Sequence, residues 1–293
     1  MKTLLTEQER IVIPHFDEIW NVVQQYITKR MSEINPRQSD KVKRWQLSIP
    51  NIKGPQNAFF TYIAYNLDLY VTDDKSEYDN MDSSFNESEI NPYIQLAQNK
   101  KLGTIRMRSR VFTHKDFMFK DIKEEFHHEL THAYEYYITQ KNGKQYYEVN
   151  SDSSFDNRSL SSILTNQRMS PLEKNLALMI YYFDPREYNS RMNSFYEEAS
   201  YAVKNGNKDI NQIINNSKSW KRIVIMHDVI YYMNQVTNPN DQMKLIAVAN
   251  VMNRSSSKYT NYITLFQDIE YKFNELKNNT YRDYQRIVQQ LLN

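Results

Sequence analysis

His128 and His132 stand four residues apart, with Glu129 directly after the first, in the stretch EEFHHELTHAYEYY of residues 124–137. On a helix that spacing is one turn. Both imidazoles then project from one face and can converge on a single ion. Zinc, held about 2.0–2.1 Å from each ring nitrogen, requires that separation. Glu129 lies beside the pair without needing to be a ligand. Zinc lowers the pKa of a water it holds to about 7, so a carboxylate can take that proton at neutral pH. The same group can then return it to a leaving amine. Chance gives such a pattern in roughly one chain per hundred of this composition. The competing reading is an amphipathic helix that carries solvated histidines.

The helical wheel separates the two readings. Phe126, Ile122, Leu130, Ala133 and Tyr137 form one apolar stripe, and His128 and His132 fall about 200–240° away from Phe126. The histidines therefore do not belong to the core face. His127 points elsewhere, at about 100° on the same wheel, and reads as a surface histidine or a support for the ligands.

The run His128-Glu129-Leu130-Thr131-His132 resembles the HExxH signature of zincin metallopeptidases. The resemblance implies a zinc-dependent hydrolase of peptide bonds, with Glu129 as general base and then acid. It also implies a small sheet packed above the motif helix and a mainly helical lower part that supplies a third ligand. The metzincin variant is excluded, because its glycine position is Glu135 and its last histidine position is Ile138. A gluzincin-like carboxylate from a later helix fits better. Glu187 is the first candidate. It opens a helix in YYFDPREYNSRMNSFYEEA and is similar to a P-x-E-x-x-small element of uncharacterised, often phage-encoded metallopeptidase-like proteins, with Ser190 at the small position.

Glu187 also fits a capping box, three residues after Asp184. Glu148 and the Glu197-Glu198 pair are rival ligands. Arg191 lies four residues after Glu187, on the same face. It would either orient the ligand carboxylate or form a simple ion pair with it. His227, in IVIMHDVIYYM, is a candidate donor to a developing oxyanion, or a core histidine.

The elements that must position these groups follow from the rest of the chain. Its 293 residues hold only 4 glycines, which leaves few special turns and favours helix. Residues 6–34 read as a helix that Pro14 kinks or restarts. Strands are expected near Trp45–Ile49, within 58–72 and at 104–112, with an acidic loop over 73–92. The motif helix runs over about 117–139, and a polar connection covers 141–160. Helices follow at 170–182, 185–203, 209–235, 239–253 and 259–291, with Ser170, Asp184 and Asn238 each standing as an N-cap before a proline. The expected class is α+β and zincin-like: a small N-terminal mixed sheet packed on the HExxH helix, then a mainly helical C-terminal half. The expected division is a sheet-containing lobe, 1–140, and a helical lobe, 141–293.

Charge and composition limit the partners. The net charge is +2, and the basic runs Lys41–Arg44 and Arg106–Arg110 are short, which weighs against nucleic acid. The alternating arginines of 104–112 read as a solvated strand face that protects an edge, or as a preference for acidic substrates. There is no cysteine, no visible signal peptide and no apolar run of membrane-spanning length. A peptide or protein substrate and a cytoplasmic or virion-associated location are expected. The alternative class is a non-catalytic structural or interaction protein on the same scaffold, a phage virion or host-interaction component, which would use its tyrosine-rich helical half to bind protein partners.

Overall fold

The computed structural model describes residues 11–32, 43–48, 65–71, 84–86, 103–109, 119–141, 157–255 and 257–293. The chain divides into two compact units, Ile11–Tyr146 and Met1–Arg10 with Tyr147–Asn293.

The Ile11–Tyr146 unit contains two helices and a sheet. Helix α1, Phe16–Ser32, begins just after Pro14, where the proline was expected to restart it. Its buried stripe is Phe16, Ile19, Trp20 and Val23. Helix α2, Phe119–Lys141, carries the HExxH motif. Phe126 and Leu130 are fully buried, as the wheel required. Phe126 meets Phe16 and Trp20 at ring separations of 6.1 and 6.0 Å, which joins α1 to α2 through aromatic contacts. The side chains of Ile122, Ala133 and Tyr137 lie outside the described residues.

The backbone traces four short strands: β1 Lys43–Ser48, β2 Tyr65–Val71, β3 Ser84–Asn86 and β4 Gly103–Ser109. Their order in the sheet is β1-β2-β4-β3. β1 pairs with β2 antiparallel, with Trp45 opposite Leu69. β2 pairs with β4 parallel, with Leu67 opposite Ile105. β3 closes one edge antiparallel to β4, with Phe85 opposite Ile105. β3 falls inside the acidic stretch expected to be a loop. Both β3 and β4 lie against α2.

The other unit is built of helices: α3 Asn157–Thr165, α4 Pro171–Tyr182, α5 Pro185–Lys204, α6 Ile210–Asn216, α7 Lys218–Ile225, α8 His227–Asn234, α9 Pro239–Met252 and α10 Tyr262–Leu292. Ser170, Asp184 and Asn238 are N-caps, as their prolines indicated. α3 lies partly in the segment expected to be a polar connection. The single helix expected over 209–235 is three helices. Ser217 breaks the first from the second, and its hydroxyl accepts from the Trp220 N–H to start α7. The longest helix, α10, buries Leu265, Ile269, Phe273, Leu276, Tyr284, Ile287 and Val288, an i, i+4, i+8, i+11 stripe. Phe195 of α5 stacks on Tyr284 at 3.6 Å, and Trp220 packs beside Tyr281 at 5.1 Å.

The α+β class is therefore corrected to a mainly helical one. Among residues whose side chains are described, 80% are helical and none lies in a strand. The physical reason is burial. The described core is made by the apolar faces of helices packed on one another.

Candidate metal centre

Helix α2 supplies two imidazoles. His128 and His132 are half-buried, with ring centroids 5.0 Å apart and planes at 80°. The one-turn spacing and the off-stripe position produce this pairing directly. His132 Nδ1 lies 3.9 Å from Glu135 Oε2. That is too long for a direct hydrogen bond. Glu129, at 7% exposure, and Thr131, fully buried, stand between the two histidines. The Thr131 hydroxyl donates to the His127 carbonyl at 2.7 Å, a back-bond one turn below. His127 is not a surface residue. It is 2% exposed and stacks on Phe16 at 3.7 Å, so it belongs to the α1–α2 packing.

Helix α5 supplies the carboxylate. A helix buried on all sides is normally apolar. Here Glu187, Asn189, Ser190, Arg191, Asn193, Ser194, Glu197 and Glu198 are all buried. Such a concentration of buried polar groups is costly to build unless they find partners. The capping box expected as an alternative for Glu187 is not what its side chain makes: Asp184 is the N-cap of α5, and the Asp184 N–H donates to the Tyr181 carbonyl at 3.1 Å. Asp184 Oδ1 accepts from the Arg186 N–H at 2.9 Å, and its carboxylate also holds the Arg186 guanidinium at 2.6 Å. The Glu187 side chain is turned elsewhere. Oε1 accepts from the Tyr181 hydroxyl, and Oε2 accepts from Arg191 Nη2 at 3.3 Å.

Arg191 is itself 7% exposed and tightly placed. Its guanidinium carbon sits 3.1 Å from the centre of the Tyr182 ring, and Nη1 reaches the Tyr182 carbonyl at 3.5 Å. Next along α5, burial pushes the Tyr188 hydroxyl well above the ordinary tyrosine range, and its bond to Asp283 Oδ2 adds to the shift.

His128 and His132, on α2 of one unit, and Glu187, on α5 of the other, are a candidate group of metal-ligating side chains. The other candidates are elsewhere. Glu198 accepts from the Lys218 and Ser219 N–H groups and from the Ser219 hydroxyl, which caps α7. Glu197 is buried on α5 but is not in the group. His227 is exposed at the first position of α8, with its ring 6.3 Å from Phe273, so it is neither a core histidine nor a member of the group. Glu148 and the side chains of Arg106, Arg108 and Arg110 lie outside the described residues. Tyr181 and Tyr182 were not picked out from the sequence. The signal was the Asp184-Pro185 turn, which folds the last turn of α4 back over the first turn of α5.

No described helix is long and apolar enough to cross a membrane. Comparison with family models, with curated proteins and with solved structures gave no match.

Proposed function

We propose that the chain is a zinc-dependent peptidase in which His128, His132 and Glu187 hold the metal and Glu129 is the acid–base residue. The one-turn pair of imidazoles on α2, off its buried apolar stripe, carries this reading, with Glu187 as the proposed third donor. Two imidazole nitrogens and one carboxylate oxygen make the donor set of catalytic zinc sites, where three protein ligands leave one position open. When bound, zinc supplies a Lewis acid that makes water acidic at neutral pH and polarises a peptide carbonyl. The chain's own work is then positional and protonic. Glu129, at 7% exposure, takes a proton from the attacking water and returns it to the departing amine. The two proposed histidine ligands share the one-turn spacing of α2, and the Asp184 cap fixes where α5, which carries Glu187, begins.

Elemental mass spectrometry on untagged protein tests the metal. The expected result is about one zinc per wild-type chain, lost in Glu187→Ala. A peptide-library digest then tests the chemistry. Zinc retained without any cleavage would turn the reading towards a non-catalytic interaction protein. Zinc absent from both proteins would end it.

A further inference from the structure

The Glu187 carboxylate is gripped from both ends by groups of its own unit. Tyr181, in the last turn of α4, donates to Oε1, and Arg191, one turn along α5, donates to Oε2. Arg191 cannot swing away easily. Its guanidinium lies against the Tyr182 ring at 3.1 Å and also reaches that residue's carbonyl. The two tyrosines are adjacent in sequence, so one turn of helix sets both the hydroxyl and the plate that carries the arginine.

We infer that Tyr181 and Arg191, with Tyr182 as the plate, are positioning residues for the metal: a clamp that holds Glu187 in a fixed rotamer ready to ligate. The inference rests on the proposed role of Glu187 as third ligand. A free glutamate loses rotamer freedom when it is fixed. A clamp formed in the folded chain takes that loss before metal arrives, so the bound state is reached more favourably. Each carboxylate oxygen keeps a second lone pair for a ligand bond after accepting one hydrogen bond. Removing such supporting bonds typically weakens metal binding by about 10–100-fold.

Zinc affinity, measured by competition with a chromophoric chelator on the full chain, tests this. Tyr181→Phe keeps the ring and loses only the donor. It is expected to raise the zinc Kd about tenfold or more. Arg191→Lys keeps the charge but loses the fork and the stacking, and is expected to do the same. A merely structural role is separated by the double mutant. Against Glu187→Ala, Tyr181→Phe is expected to change the Kd no further, because its effect runs through the missing carboxylate. An unchanged Kd in Tyr181→Phe, with Glu187→Ala still weakening zinc, overturns the clamp and leaves the ligand reading standing. An unchanged Kd in Glu187→Ala overturns the ligand reading and the clamp together. Equal effects of Tyr181→Phe in both backgrounds also overturn the clamp.

Discussion

In the proposed mechanism, Glu129 is the residue on which the chemistry turns. Glu129→Gln keeps shape and hydrogen-bonding capacity but removes the base. It is expected to retain zinc and to lose about 10²–10⁴ of turnover, read as metal content beside peptide hydrolysis. Glu198 does a different job with the same side chain. It collects two backbone N–H groups and a hydroxyl at the start of α7, at 6% exposure. Glu198→Ala leaves those donors buried without their acceptor and is expected to cost about 1–3 kcal/mol in chemical denaturation. The sequence separates the two carboxylates only in part. The histidine pair is legible because its spacing is local and its chemistry is rare. Glu187 is legible as a candidate because a cap and a proline announce the helix it opens. Tyr181, one of 23 tyrosines, is not, because nothing local distinguishes it. Its role arises from a chain reversal.

At the level of elements, capping decides where helices stop and start. The Ser170–Glu173 pair forms a complete capping box on α4: the Ser170 hydroxyl accepts from the Glu173 N–H at 3.3 Å, and Glu173 accepts from the Ser170 N–H at 2.8 Å. Ser170→Ala is expected to lower stability by about 1 kcal/mol, measurable as a shift in denaturation midpoint. Caps that precede proline were readable. The break at Ser217 was not, because Asn216-Ser217 lies within a continuous helical period with no proline to mark it. The sheet shows the same limit: β4 is legible from its alternation, whereas the three residues of β3 are too short for any period to appear. The loop before α10 adds a pH-sensitive element. Burial pushes the Lys258 ammonium down to about 8, with the nearby Lys272 charge adding to it. In the unfolded chain a lysine titrates near about 10.4. Between these values the unfolded state holds the extra proton, so this contribution to stability is fully present above the unfolded value and is lost as pH falls through about 8. Replacing Lys258 with methionine is expected to flatten that part of the stability profile, compared with wild type by denaturation at pH 7.5 and pH 9.5.

At the scale of the whole molecule, stability in the Tyr147–Asn293 unit rests on one aromatic and aliphatic core. Phe273, 1% exposed on α10, belongs to it. Phe273→Ala is expected to cost about 3–5 kcal/mol in urea, with zinc content measured separately on any protein that remains folded. The helical character of this half was legible from its apolar periods and scarce glycine. The balance of the class was not, since a strand-like run is read locally, whereas the class depends on which elements make the core. The three tryptophans have a consequence for observation. Trp20 is buried in the Ile11–Tyr146 unit, Trp220 is buried among Tyr281 and Tyr284 in the other, and Trp45 belongs to β1. With Trp45→Phe, each unit keeps one native fluorophore of its own. Removing Trp20 or Trp220 in turn leaves emission that follows one unit alone, so the cooperativity of the chain becomes readable as colour, one half at a time.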